Sequence, residues 1–165
     1  MKKVVKVIHD WIKRITVPQS TMSNFPICPF AKKAKSQKKY KIFVSNENFK
    51  QLVLDTIKLW DEYYDIFIIV DESKSINEVD IQVFCDELNE TITKNNLYAL
   101  ADHPNMHGQI QNIQTGNLVY PIVLLQNFQK LKEANTMLEK TDYYSYWDKD
   151  YYDFIVAKRN RYSNK

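Results

Sequence analysis

Glycine is nearly absent from this chain: two residues in 165, Gly108 and Gly116, both in one segment. Phosphate loops and dinucleotide fingerprints need several glycines where the backbone closes on phosphate, so P-loop and Rossmann readings are excluded. Cysteine is as scarce, and Cys28 and Cys85 supply no disulfide framework. The start, Met1-Lys2-Lys3-Val4-Val5, is basic then apolar, but His9, Asp10, Lys13 and Arg14 interrupt it too soon for a signal core. The longest apolar run, Ile66-Phe67-Ile68-Ile69-Val70, falls far short of the ~20 residues that span a bilayer. A net charge of +3 is too small to indicate nucleic acid by itself. Together these absences imply a soluble, cytoplasmic protein of a reducing compartment, with neither membrane nor nucleic acid as its partner.

What is present is an ordinary globular composition, 44% apolar and 26% charged. A chain of this length builds one core and is short for two, so a single domain over 1–165 is expected. Val4, Ile8, Trp11, Ile12 and Ile15 recur at helical spacing in a first amphipathic helix that Pro18 ends. Residues 40–44 read as a strand, and Ser45-Asn46 as the cap of a helix with the stripe Phe49, Leu52, Val53, Ile57 and Trp60. The run 66–70 has the character of a central strand buried on both faces. Ser75-Ile76-Asn77-Glu78 matches a capping box before a helix that buries Ile81, Phe84, Cys85, Leu88 and Ile92. Residues 97–101 and 118–125 read as the third and fourth strands, with an irregular stretch between them. Two helices close the chain, one with Phe128, Leu131, Asn135 and Leu138 on its inner face. The other, over 144–161, carries Tyr144, Trp147, Tyr151, Phe154 and Ile155.

This order predicts an α/β fold, a small mixed, mostly parallel four-stranded sheet with flanking helices. The fourth strand follows no helix and is therefore the candidate antiparallel member. A ferredoxin-like α+β sheet is the competing architecture.

In such a sheet ligands gather beyond the carboxyl ends of parallel strands. Ser45 and Asn46, Asp71 and Glu72, and Asp102 and His103 stand at those positions. Pro29 suits the first turn of a helix, which puts Cys28 at the cap, facing free backbone amides and the positive end of the dipole. A thiolate there is stabilised, and the nearby Lys32, Lys33, Lys35, Lys38, Lys39 and Lys41 add positive field. The opposing expectation is an inert, desolvated thiol beside Phe25 and Phe30. Cys85, on a buried stripe, belongs to the core. Asp102, His103 and His107 offer carboxylate and imidazole for a metal, although Pro104 places them on a loop. The residues specify no cofactor. The lysine cluster and the aromatic segment from Tyr143 to Tyr152 can serve as an anion or partner surface, or as a solvated face and a packed one.

The chain also resembles the uncharacterised bacterial family known as domain of unknown function 1415. The shared features are Trp11 in the first helix, Cys28-Pro29-Phe30-Ala31, His103-Pro104 and Tyr120-Pro121, spanning Trp11 to about Leu138. Thr115-Gly116-Asn117-Leu118-Val119 stands where the family carries an arginine-containing stretch. The resemblance implies a site that includes Cys28 and His103, and it implies no reaction. The function expected from all of this is a small enzyme acting on a small-molecule or anionic ligand, with Cys28 as nucleophile, redox group or thiolate ligand, His103 as base or second ligand, and Asp102 orienting it. The alternative is a non-catalytic adaptor that uses the lysine cluster and the aromatic C-terminal helix.

Overall fold

The computed structural model describes residues 2–164. The first helix, α1 (Lys2–Thr16), buries Val4, Ile8, Trp11, Ile12 and Ile15, the whole stripe its spacing marks out. Helix α2 (Pro29–Ser36) follows, then strand β1 (Tyr40–Ser45), helix α3 (Phe49–Lys58) and strand β2 (Ile66–Asp71). All six residues of β2 are buried, as a continuous β-branched and aromatic run requires. Helix α4 (Glu78–Ile92) leads to β3 (Leu97–Asp102), a two-residue hairpin β4 (Gln109–Ile110) and β5 (Ile113–Gln114), strand β6 (Ile122–Asn127) and helix α5 (Phe128–Leu138).

The main sheet has the order β1-β2-β6-β3. Strand β1 runs parallel to β2, whereas β6 is antiparallel to both β2 and β3. The fold is therefore mixed α/β, with three strands pointing one way and the last-formed strand reversed between two of them. Only one adjacent pair is parallel, which corrects the mostly parallel expectation. The unit β2-α4-β3 is a split βαβ with β6 in the gap, the element that ferredoxin-like sheets also use. Strand alternation then divides the core. Ile66, Ile68, Val70 and Ile122 face α1, α2 and the C-terminal segment. Phe67, Ile69, Val123 and Leu125 face α3 and α4.

The local caps differ from the sequence reading. The cap of α4 is Asn77, whose side chain accepts from the Asp80 N–H at 2.8 Å. Ser75 bonds Asp71 instead, through both its N–H and its hydroxyl. Helix α3 begins three residues after Asn46, behind a left-handed Asn48 that gives no side-chain cap. The fourth strand starts at Ile122, not near 118. The C-terminal segment is not one regular helix. A 3-10 turn (Tyr143–Tyr146) precedes α6 (Lys149–Tyr152), a π-helical turn (Asp153–Ala157) and α7 (Lys158–Asn160).

The scarcity of glycine has a backbone signature. Nine of the described non-glycine residues have φ between 50° and 64°, among them Asn24, Asn48, Asn96 and Asn112, and neither glycine does. Asparagine tolerates this region because its short side chain bonds locally. Lys38 is different. It follows the α2 cap Gln37 with φ 56° and donates to the Lys35 carbonyl at 3.1 Å. That is the position where helices usually carry glycine. A left-handed lysine costs about 1–2 kcal/mol, and the extra chain entropy of glycine removes about half of the gain. Lys38→Gly is therefore expected to stabilise the protein by about 0.5–1 kcal/mol, read as a higher midpoint in urea. An unchanged or lower midpoint would contradict it.

Candidate functional site

Because β1, β2 and β3 point the same way, Ser45, Asp71 and Asp102 do end on one rim, with Ser45 opposite Asp71 and Asp102 opposite Ile122. Their side chains then part. The Ser45 hydroxyl donates to the Glu47 carbonyl. Asp71 is fully buried and accepts from the Ser73 hydroxyl at 2.5 Å and from the N–H groups of Ser75 and Ile76 at 2.7 and 3.1 Å. It organises the loop into α4 and faces no open space.

Asp102 and His103 are adjacent along an extended chain, so they leave it in opposite directions. Asp102 turns toward the α1 side, where it accepts from the N–H and the Nδ2 of Asn117 at 3.0 and 2.8 Å. Burial nevertheless pushes its carboxyl above the ordinary range. Gly116 explains how the loop comes so close. A methyl group there would lie 2.6 Å from the Asp102 Oδ1. Gly108 plays the same part against Thr115 and Tyr151, where a Cβ would meet atoms at 2.8 and 2.9 Å. Both glycines thus serve close approach, not turns. Helix α1 fixes the same loop: the Trp11 Nε1 donates to the Thr115 carbonyl at 2.8 Å, and the Arg14 guanidinium donates to the carbonyls of Gln114 and Gly116.

His103 goes to the other side. Its Nε2 lies 3.1 Å from the Ile76 carbonyl, and its Nδ1 accepts from the Asn105 N–H at 3.1 Å. Both ring nitrogens are engaged by backbone in the tautomer this requires, with Nε2 protonated. The expected pairing of Cys28 with a His103 base is therefore not assembled, nor is Asp102 the group that orients His103. The possible metal trio of Asp102, His103 and His107 is not gathered either. Among the described residues no group of three His, Cys, Asp or Glu side chains stands close enough to hold a metal ion.

Cys28 does cap α2. Its backbone is extended, and its sulfur accepts from the Ala31 N–H at 3.4 Å. Its own N–H reaches back to the Ile15 carbonyl of α1 at 2.9 Å. The thiol faces a cavity of about 190 Å³ between the sheet and the C-terminal segment. Desolvation there raises the thiol above its ordinary value, and the helix amides and the more distant Arg159 only partly oppose this. A cap and dipole stabilise an anion by about 1 kcal/mol, whereas removing an ion from water costs several. Desolvation wins, and the thiolate expectation is corrected to a neutral thiol. Cys85 lies in the opposite core, its thiol pushed up to about 12 by burial.

The cavity wall is mostly apolar, with Ile12, Ile27, Ile68 and Leu124 on its helix and sheet sides. The C-terminal segment supplies the remainder. Tyr143 donates its hydroxyl to the Ile27 carbonyl at 2.6 Å, tying this segment to the residue before Cys28. Tyr144 donates to Asn135 Oδ1 at 2.6 Å. Trp147, Tyr151, Ile155 and Arg159 recur every fourth residue, and all four line the cavity. Trp147 is extended and precedes α6, so the helical steps are the two from Tyr151 to Arg159, which in a regular α-helix would drift by about 80°. The wider π-helical turn at Asp153–Ala157 takes back part of that drift. Phe154, placed by its spacing on the inner stripe, is instead 48% exposed. Arg159 is the site residue that reading the sequence missed, and its spacing four residues after Ile155 was the available signal.

Asp102, Thr115, Tyr151 and Ile155 also border a wider cleft of about 660 Å³ that holds His107, Asp148 and Lys149. The cavity and the cleft thus share a wall. The aromatic segment expected as a partner surface is largely folded inward, with Tyr143 only 2% exposed. No helix among the described residues is long and apolar enough to cross a membrane. No family model, curated protein or solved structure matches the chain. The family resemblance thus rests on Trp11 and the Cys-Pro-Phe-Ala, His-Pro and Tyr-Pro features alone.

Proposed function

We propose that this protein holds a small, largely apolar molecule in the cavity under α2, with Cys28 at its wall. The observation that carries the reading is the cavity itself: about 190 Å³ of space in a core that otherwise packs side chains from two sheet faces. Protein interiors leave few voids larger than a water molecule, and an apolar cavity of about 150 Å³ is enough to admit benzene. Cys28 contributes as a neutral, polarisable wall group and hydrogen-bond partner, and not as a preformed nucleophile. Of the two functions the sequence offers, small-molecule action at Cys28 keeps its support without the histidine base. The adaptor reading loses its aromatic half to the cavity wall.

Alkylation of Cys28 tests this, with peptide mass spectrometry separating it from Cys85. At pH 8 the thiol is expected to react more slowly than an exposed cysteine. Because burial raises its pKa, the thiolate fraction and the rate should keep climbing at alkaline pH after an exposed cysteine has levelled off. Toluene at saturation should slow the reaction further by filling the space beside the sulfur. Fast alkylation at pH 7, or no protection by toluene, would count against the proposal.

A further inference from the structure

Arg159 is a buried cation with no ion pair among the described residues. Its residue exposure is 9%, and its Nε has no hydrogen-bond partner among the described residues. Its neighbour in sequence, Lys158, is paired instead, with Asp86 at 2.7 Å. Glu139, which acts on the same Tyr144 hydroxyl as Arg159, is taken up by Asn135 at 2.9 Å and Tyr152 at 3.2 Å. The guanidinium meets the hydroxyl of Tyr144, a neutral group. A guanidinium in an apolar wall is unfavourable unless an anion meets it.

We infer that the occupant of the Cys28 cavity is a monocarboxylate with a compact apolar body, its carboxylate on Arg159 and its body among Ile68, Leu124 and Trp147. This rests on the small-molecule reading above and names the ligand class. Arginine suits the role because its planar fork meets a carboxylate with two parallel N–H···O bonds. The volume limits the body to about the size of a benzene ring or a short branched chain. Asp102, which also lines the cavity, is held by Asn117, and Arg159 is the basic residue of the lining.

The probes are benzoate and its neutral analogue benzyl alcohol, titrated calorimetrically into the full chain. Protection of Cys28 from alkylation places each ligand. Benzoate is expected to bind at least about tenfold more tightly than benzyl alcohol and to protect Cys28. Arg159→Met, close to the arginine in volume, should abolish that preference while still admitting benzyl alcohol, and Arg159→Lys should keep part of it. If benzyl alcohol protects Cys28 but benzoate binds no better, the carboxylate inference falls and the cavity reading stands. If neither ligand binds or protects, both fall. Benzoate that binds without protecting Cys28 also overturns the inference. Should Arg159→Met fail to fold, the preference of the wild-type protein and its reduction in Arg159→Lys decide the matter.

Discussion

Replacing Asp71 with alanine is expected to destabilise the protein by roughly 4 kcal/mol, about 2 for each of two backbone donors left bare. The carboxylate is fully buried and is the acceptor for the N–H groups of Ser75 and Ile76 and for the hydroxyls of Ser73 and Ser75. Alanine removes every acceptor at once and puts no group in their place. The damage extends beyond the loop, because Ile76 packs in the α4-side core and its carbonyl holds the His103 ring. Asp71→Asn keeps an oxygen for the two backbone N–H groups, which share one carboxylate oxygen, and puts its amide against the Ser73 hydroxyl, so it should fall between the two. Urea denaturation reads the difference. A loss below about 1 kcal/mol would show that water enters and replaces the carboxylate, and the loop would then not depend on Asp71.

The second large effect is expected at Asn89. Strand β3 is an edge of the sheet, and its outer side is closed by a side chain, not a strand. Asn89 on α4, 1% exposed, donates to the Ala99 carbonyl at 2.9 Å and accepts from the Ala99 N–H at 2.7 Å. It mimics one rung of a ladder, and so it both satisfies the strand and blunts an edge open to pairing with other chains. Asn89→Leu preserves the volume and leaves both Ala99 groups buried without partners, at about 3 kcal/mol. Amide exchange gives a local readout: the Ala99 amide should lose protection far more than the amides of β2. Unchanged exchange at Ala99 would mean that the backbone has found another partner, and the role assigned to Asn89 would be wrong.

The amphipathic stripes were legible because periodicity is a local property. The α1 set from Val4 to Ile15 is buried as its spacing requires, and so is the β2 run. The reversed direction of β6 was half legible, since no helix precedes it, but its place between β2 and β3 depends on contacts some 60 residues away. At the site the outcome divides by the range of the interaction. Cys28 as the cap of α2 follows from Pro29 beside it, and the structure bears this out. Its charge state does not follow, because desolvation comes from the distant C-terminal segment. Asp102 and His103 looked like one constellation because they are neighbours in the chain, yet neighbours on a strand point apart. Turn signals were muted throughout, since Lys38, Lys74 and Gln111 hold left-handed positions that glycine usually marks.

The reversed strand β6 also sets the order in which this molecule can assemble. Strands β1 and β2 can pair as soon as α3 is made, because only one helix separates them in the chain. Strand β3 has no such option: its only neighbour in the sheet is β6, which lies beyond the β4-β5 hairpin. Until residues 122–127 arrive, β2 and β3 each present an unpaired edge, and Asn89 shields only the outer side of β3. Closure is thus a late, non-local step that zips two half-sheets at once, a pattern that makes folding slow compared with helical proteins of this size. The cavity can exist only after that closure, since β6 supplies Leu124 to its floor and the segment that follows β6 supplies its roof. A nascent chain therefore completes its scaffold before the cavity is enclosed.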